Sequence, residues 1–332
     1  MTVVSRFYTL TPPQAGDYNM AAECLTISGK EPTRTDMEND NEPREGKGHL
    51  VLSPAGEKGQ VLSTLSFQYP LKLISPRVPL QPCTSVFMMS YGGGLVGGDQ
   101  IELTVDIERG CKLSLLTQGS TKIFKRRIKD GESGPLTTQT LHVRIADGGL
   151  LALVPDPIQP FEDSCYSQRQ SFELHPNANL VLLDWVNSGR PARGENWTLT
   201  SFRSRNDIYQ LEHDRRLVLR DTLILNANVA KSMYPHECFA TVILRGPLLQ
   251  GISESIIKKF RNEERVRRPS AVQSRPVSAK RATWTAGMVR DGCCVIKAAG
   301  ESGEMVKEFL VEILVVEELE ALLGREALRS LL

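Results

Sequence analysis

The amino-acid sequence predicts a mainly β protein in which helices come late in the chain. From Gly48 onward, short segments alternate apolar and polar residues and are separated by turn residues. A two-residue period of this kind is typical of half-buried strands. Helical spacing of apolar residues begins only near Ile252. The pattern alone fits several β architectures, a sandwich among them.

The clearest predicted strand runs from Gln100 to Glu108. Its odd-numbered residues are apolar and its even-numbered residues are polar, so one face would pack inward while the other meets water. A register slip of one residue would bury the charges, so the pairing is well specified. The same pattern predicts further strands at residues 59–69, 84–91, 111–119, 138–149, 150–154, 167–179, 179–186, 196–204, 216–225, 238–244 and 282–298.

Two helical regions follow these strands. Ile252 to Arg265 places Ile256, Ile257 and Phe260 on one side and charged residues on the other. Glu304 to Leu332 is a second amphipathic region. Its apolar residues recur at helical spacing at Met305, Phe309, Ile313, Val316 and Leu319 or Leu323. We expect this end to pack on the core, with a groove for a partner as the alternative.

Two segments are predicted to be flexible insertions in a single domain that spans residues 1–332. Residues 30–48 contain almost no apolar side chains, so they cannot offset the entropy cost of ordering. Residues 265–281 form a basic, Ser- and Pro-rich run without aromatic residues. That composition favours a solvated loop over a folded nucleic-acid surface.

Composition and charge exclude several classes of protein. The chain has 332 residues, 40% of them hydrophobic, which is enough to bury a substantial core. A net charge of +1 argues against a nucleic-acid partner. No apolar run approaches bilayer length and no leader pattern opens the chain, so we expect a soluble, cytoplasmic protein without membrane contact. Seven cysteines without CxxC spacing indicate reduced thiols.

The most unusual stretch is YGGGLVGGDQ, residues 91–100, with five glycines in ten residues. A phosphate-binding loop would need a lysine and a following helix, whereas this stretch leads into a strand. Glycine is also favoured where backbones approach closely or take positive φ angles. The stretch is therefore predicted to be a tight turn that places Asp99 at the entrance of a strand.

No familiar catalytic motif is present. There is no GxSxG nucleophile elbow, and the His236 and Cys238 pair has no second pair at zinc-ligand spacing. A set of acidic residues is predicted at strand ends and turns, where each one alone is most simply a turn or surface residue. The set comprises Asp99, Glu102, Asp156, Glu162, Asp163 and Asp184. A β-rich small-molecule-binding or hydrolytic protein using clustered carboxylates is the alternative function.

Four blocks in order resemble the UreD family of urease accessory proteins, also called UreH. They are residues 91–125, which include the segment LTQGSTK at 116–122, and residues 150–174, 178–197 and 205–225, the last of which includes DRRLVLRDTL. In the family, a GG-hydrophobic-x-GGD turn is followed by a strand and an LTTQxxxK segment, and a later block carries GRxAxGE. The chain departs from the pattern at Val-Pro-Asp-Pro, where Leu-Pro-Gln is usual, and its C-terminal part matches weakly.

The resemblance implies a scaffold rather than an enzyme. Members of the family bind urease apoprotein and UreF, which recruits the GTPase UreG, and nickel passes through an internal tunnel toward the urease active site. The implied fold is a β-helix-like coil of many short strands in stacked sheets, with a few helices in the C-terminal part. No tightly bound cofactor is expected, but transient Ni(II) is, and the chain would work in a hetero-oligomer.

The resemblance also assigns roles to residues. The motif residues Gly92, Gly93, Gly94, Gly97, Gly98, Gln118 and Lys122 would be structural. The six acidic residues are candidates for a transient nickel path, because an ion that must leave again needs weak oxygen ligands. Asp99 matches the family motif directly and is the leading candidate. Arg190, Arg193 and Glu195 would form either a local ion pair or a contact with a partner protein.

Overall fold

The structure is a computed structural model. It describes residues 45–56, 59–76, 81–126, 136–212, 214–226, 229–267, 281–314 and 317–331. The strands are β1 Glu45–Pro54, β2 Gln60–Phe67, β3 Leu71–Ile74, β4 Thr84–Ser90, β5 Gly94–Leu95, β6 Gln100–Ile107, β7 Lys112–Leu116, β8 Thr121–Ile123, β9 Thr137–Ile145, β10 Leu150–Leu153, β11 Ile158–Pro160, β12 Cys165–Leu174, β13 Asn179–Asn187, β14 Ser201–Leu211, β15 Arg215–Asn226, β16 Cys238–Arg245, β17 Thr283–Met288 and β18 Cys294–Gly300. The helices are α1 Ala230–Met233, α2 Gln250–Arg267, α3 Gly303–Leu314 and α4 Glu317–Leu323.

The strands form a coil because consecutive strands alternate between two sheets. Sheet 1 has the order β15-β14-β12-β9-β6-β1-β2, and sheet 2 has the main path β17-β18-β16-β13-β10-β7-β4-β3. Strands β6, β9, β12 and β14 pair in parallel in sheet 1, and β4, β7, β10 and β13 do so in sheet 2. The short strands β5, β8 and β11 pair in parallel at the corner between the sheets. The predicted coil of short strands in stacked sheets is confirmed.

Two apolar layers hold the coil and the helices together. The first lies between the sheets, and the second lies between the other face of sheet 2 and helices α2, α3 and α4. Strand β13 contributes side chains to both layers. Leu180 and Leu182 face sheet 1, while Val181 and Leu183 face the helices. Burial on both faces explains why this strand reads as a continuous apolar run instead of an alternating one.

The amphipathic regions pack on sheet 2 as expected. In α2, Ile256 and Ile257 are buried in the helix-facing layer. The C-terminal region forms two helices, and their buried face is centred on Val306, Leu310 and Ile313, with Phe309 only partly buried at its edge. Core packing, the simpler of the two expectations for this region, is therefore confirmed, with the buried face shifted by one residue.

Several predicted boundaries are wrong. Strand β14 begins at Ser201 rather than at residue 196, because the chain bends at residues 196–197, where Trp197 takes a positive φ angle of 55°. Strand β1 begins at Glu45, inside the predicted insertion 30–48, because it pairs with β6 along its length. Helix α2 extends to Arg267 and so includes the first three residues of the predicted loop 265–281. Residues 30–44 and 268–280 of these insertions lie outside the described residues.

Besides β1, four short strands are missing from the sequence prediction, namely β3, β5, β8 and β11. Each has two to four residues, which is too short for a two-residue period to be recognised. Their pairing depends on the neighbouring turn of the coil rather than on their own sequence.

The glycine turn connects β4 to β6 through the corner strand β5. Gly92, Gly93 and Gly98 take positive φ angles of 74°, 75° and 96°. At Gly94 the backbone of β8 comes so close that an added Cβ would lie 2.7 Å from the carbonyl oxygen of Lys122. The prediction of a turn with close backbones and positive φ angles is confirmed.

We expect Gly94→Ala to lower the free energy of unfolding by about 1–3 kcal/mol, because the new methyl group would force apart two paired corner strands. Gly287→Ala is the matched control, since a Cβ there meets no atom within 4 Å. Urea denaturation of both variants provides the measurement. Equal stability of the two variants would contradict close packing at this corner.

Candidate functional site

A row of polar side chains crosses the otherwise apolar layer between the two sheets. It begins at Gln139 on β9 and continues through Tyr166 and Gln168 on β12. The Tyr166 hydroxyl lies 3.3 Å from Oε1 of Gln139 and 3.2 Å from Oε1 of Gln168. The Gln168 amide donates to the hydroxyl of Ser204 at 3.1 Å and to the carboxylate of Asp184 at 3.4 Å. We call these residues, together with Asn206, the inter-sheet polar row.

Asp184 lies at the end of this row and is its acidic member. It is partly buried in the middle of β13, and it faces sheet 1. Ser204 Oγ donates to Asp184 Oδ2 at 2.5 Å, and Asn206 Nδ2 donates to the same oxygen at 2.7 Å. Burial raises the pKa of Asp184, although the hydrogen bonds from Ser204 and Asn206 oppose the rise.

Beyond Asp184 lie two charged side chains, Asp221 on β15 and Lys297 on β18. Asp221 raises the pKa of Asp184 and Lys297 lowers it, both through charge. The ammonium group of Lys297 donates to Asp221 Oδ1 at 2.6 Å and to the hydroxyl of Thr241 at 3.2 Å. One end of the inter-sheet polar row therefore reaches a charged pair that is accessible to water.

At its other end the row meets a cavity beside the glycine turn. Gln139 lines this cavity. Gly93 and Leu95 from the glycine turn contribute to its wall, as do residues 117–121 from the LTQGSTK segment. The two motif segments are separated in sequence, and the coil brings them to a single opening that leads to the polar row.

Two buried amide oxygens add to the polarity of the same layer. Gln170 and Asn206 are paired in register on the adjacent strands β12 and β14. Both side chains are almost fully buried, and Oε1 of Gln170 and Oδ1 of Asn206 have no hydrogen-bond partner among the described residues. Unpaired buried acceptors are costly and usually mark the position of water or an ion.

Asp99 lies where the sequence predicts, at the entrance of β6, and it is buried. Its carboxylate accepts a hydrogen bond from the Val96 amide at 3.0 Å, and its own amide donates to the Val96 carbonyl at 3.1 Å. The carboxylate therefore closes the Gly97–Gly98 turn. The Asp99 carbonyl accepts from the Thr138 amide at 2.9 Å, next to Gln139.

Asp156 links two neighbouring corners of the coil behind the cavity. Its carboxylate accepts from the Gly119 amide at 2.9 Å and from the Thr117 hydroxyl at 3.2 Å. Its own amide donates to the Thr117 hydroxyl at 2.7 Å. Burial raises the pKa of Asp156, against the effect of these hydrogen bonds.

The other acidic candidates do not join these sites. Glu162 and Asp163 are exposed in the turn before β12, and Glu102 is exposed on the outer face of sheet 1. The predicted location at strand ends and turns is wrong for Glu102 and Asp184, because both lie inside strands, β6 and β13, whose bounds agree with the predicted strands 100–108 and 179–186. In the described part of the chain, no three His, Cys, Asp or Glu side chains are grouped to hold a metal ion.

Arg190 and Glu195 form the local ion pair that the sequence suggests. The Arg190 Nε donates to Glu195 Oε2 at 2.8 Å, and a second nitrogen of the guanidinium group donates to Oε1. The guanidinium carbon lies 3.9 Å from the centre of the Phe161 ring. The hydrogen bond from Arg190 lowers the pKa of Glu195. Arg193 is exposed in the adjoining turn.

Sequence reasoning missed the neutral members of the site. Gln139, Gln168, Gln170, Ser204 and Asn206 occupy inward positions of strands, where apolar residues are usual. That signal was present in the alternation of SQRQSFEL, because the strand period that buries Phe172 also buries both glutamines. Neutral Gln, Ser and Asn side chains carry no charge that would mark them in the sequence as candidate ligands.

Comparison with known proteins identifies the family. The profile described as UreD urease accessory protein matches residues 44–331. This chain belongs to the UreD family. The matched region includes both motif segments at the cavity and every residue of the inter-sheet polar row.

Individual relatives agree with this family. The chain is 38% identical to urease accessory protein 4 of Cryptococcus neoformans var. grubii over 63% of its own length and 73% of the relative. It is 32% identical to urease accessory protein D of Arabidopsis thaliana, over 84% and 98% of the two chains. It is 32% identical to UreD of Sorangium cellulosum, over 80% and 78%. No helix in the described part of this UreD chain is long and apolar enough to span a bilayer.

Asp184 gives the fold a specific pH dependence. Because its pKa is raised in the folded state, the folded protein holds the proton more tightly than the unfolded chain does. The free energy of unfolding therefore falls as the pH rises from the ordinary value of 3.8 through the folded-state pKa. We expect Asp184→Asn to remove this fall, so that the variant gains stability relative to wild type as the pH rises above 3.8.

Urea denaturation across that range provides the measurement, and Glu102→Gln on the outer face of sheet 1 is the control. A difference between Asp184→Asn and wild type that does not change with pH would contradict the raised pKa.

Proposed function

We propose that this chain is a scaffold for urease maturation. It binds urease apoprotein and UreF, recruits UreG through UreF, and assists the insertion of nickel into the urease active site. It works in the cytoplasm as part of a hetero-oligomer and catalyses no reaction itself. Support comes from membership of the UreD family and from relatives named as urease accessory proteins.

The inter-sheet polar row is the observation that supports passage of nickel through the chain. It offers amide, hydroxyl and carboxylate oxygens between the cavity at the glycine turn and the Lys297–Asp221 pair. Ni(II) accepts oxygen ligands, and weak, spaced sites let an ion move on where a closed cage would trap it. The unpaired oxygens of Asn206, within the row, and of Gln170, beside it, are further weak ligands on this route.

The acidic candidates divide into two groups on this proposal. Asp184 is the carboxylate that an ion would meet inside the coil. Asp99 and Asp156 adjoin the cavity end, where their carboxylates also hold turns. Neither group includes Glu102, Glu162 and Asp163, which are exposed and lie off this route. Arg190, Arg193 and Glu195 form a surface turn that a partner protein can contact.

Co-expression with tagged urease apoprotein and UreF tests the scaffold role. We expect the three proteins to copurify, and we expect urease activity to depend on this chain when nickel is limiting. Turnover of a small molecule by the isolated chain, without capture of either partner, would favour the alternative of a hydrolytic or ligand-binding protein.

A pair of substitutions at Asp99 separates a turn role from a nickel role. Asp99→Asn keeps an oxygen that can accept from the Val96 amide, while Asp99→Ala removes it. We expect Asp99→Ala to lower the free energy of unfolding by about 1–2 kcal/mol, because it loses the turn contact. Asp99→Asn should keep most of that stability.

Urease activation at limiting nickel then shows whether the negative charge of Asp99 is needed. On the nickel-path proposal, Asp99→Asn lowers activation even though the complex assembles normally. Full activation by Asp99→Asn, together with a loss only in Asp99→Ala, would assign Asp99 to the turn alone.

A further inference from the structure

The outer face of sheet 1 carries an excess of arginine. Side chains alternate along each strand, so residues next to the inward-facing Gln168, Ser204 and Asn206 point outward. Six arginines on β9, β12, β14 and β15 share this outer side with two carboxylates from those strands, Glu173 and Asp207. We call these six the arginine face; they are Arg144, Arg169, Arg203, Arg205, Arg215 and Arg220.

The two carboxylates lie beneath the guanidinium groups. Asp207 has no exposed side-chain surface, and Arg205 and Arg220 hold it at 2.7 Å and 2.6 Å. Burial alone would raise the pKa of Asp207, but the hydrogen bonds from both arginines lower it below its ordinary value. The charge of Asp207 is therefore covered, while Arg220 remains partly open to solvent.

A second carboxylate is held in a similar way. Arg215 contacts Glu173 Oε1 at 2.7 Å, and Arg144 contacts Oε2 at 3.4 Å. The guanidinium of Arg215 also lies 3.4 Å from the centre of the Tyr209 ring. These contacts fix the orientation of the arginines, and pre-organised groups lose less entropy when a partner binds.

Arg169 and Arg203 are exposed and form no ion pair with any described residue. Arg169 lies directly opposite Arg205 in the register of β12 and β14. Like charges in directly opposite positions of a sheet destabilise it. Arg205 is compensated by Asp207, whereas Arg169 beside it has no carboxylate among the described residues, so a negatively charged partner would supply one.

An exposed apolar residue lies within the same face. Ile224 is paired with Arg203 across β14 and β15, and it is 62% exposed. Protein interfaces are enriched in arginine around apolar contacts. Nucleic acid is a poorer fit, because Tyr209, the aromatic ring on this face, is covered by Arg215 and leaves no open surface for base stacking.

We propose that the arginine face docks a carboxylate-rich protein surface of the urease machinery, with Ile224 supplying an apolar contact at its edge, beside Arg203. This inference rests on the proposed function for the existence of such partners. The contact is electrostatically steered, so it weakens as salt rises.

The test is the double charge reversal Arg169→Glu with Arg203→Glu in the full-length chain. The control is Lys258→Glu with Arg261→Glu on the exposed side of α2, which changes the net charge equally. Binding to tagged urease apoprotein and to tagged UreF is measured at low and at physiological salt. We expect at least about tenfold weaker binding to one of the two proteins for the reversal at the arginine face, and less than about twofold change for the control.

A stability measurement separates docking from misfolding. Arg169→Glu places a carboxylate opposite Arg205, so the double variant should unfold at the same urea concentration as wild type or a higher one. Arg169→Lys with Arg203→Lys retains the charge and should retain most of the binding.

Four outcomes would overturn the inference. Unchanged binding of both proteins by the reversed variant would overturn the docking surface and leave the proposed function intact. Capture of neither protein by wild type would overturn both. Binding of duplex DNA that the reversal abolishes, or self-association that it abolishes, would assign the face to nucleic acid or to a second copy of this chain.

Discussion

The strands coil through two facing sheets, and this arrangement places one constraint on the side chains that face inward. Each must either pack against apolar neighbours or find a hydrogen-bond partner inside the coil. A buried polar group without a partner costs about 1–3 kcal/mol. Most inward positions here are Leu, Ile, Val or Phe. The exceptions on β9, β12, β13 and β14 satisfy the constraint together, because Gln139, Tyr166, Gln168 and Asp184 hydrogen-bond across successive strands.

The same constraint connects structure to the proposed passage of nickel. A row of polar groups that hydrogen-bond only to one another would be a sealed network. This one opens at the cavity beside the glycine turn and reaches the Lys297–Asp221 pair at its other end. Oδ1 of Asn206 within the row and Oε1 of Gln170 beside it are unpaired in the described part of the chain. Such an arrangement is stable in the resting protein and still offers oxygen ligands to a cation.

The sequence was most informative where the pattern was long and regular. The alternation of β6, the apolar runs of sheet 2 and the helical spacing at Ile256 and Ile257 correctly predicted a mainly β coil with late helices. The corner strands could not be predicted, since their pairing is set by adjacent turns of the coil. The candidate site was predicted only in part. Asp184 is one of the acidic candidates that the sequence offers. Its partners Ser204 and Asn206 are distant in sequence and become neighbours only because β13 and β14 lie in facing sheets.

The nickel content of urease after maturation by a chain with an altered polar layer is the most direct test of the central claim. Gln170→Leu removes an unpaired buried oxygen without breaking a described hydrogen bond, so the fold should keep its stability or gain some. Glu102→Gln on the outer face is the control. If nickel passes between the sheets, urease from the Gln170→Leu complex contains less nickel than wild type although the complex assembles fully. Equal nickel content in all three preparations would contradict a route through the inter-sheet polar layer.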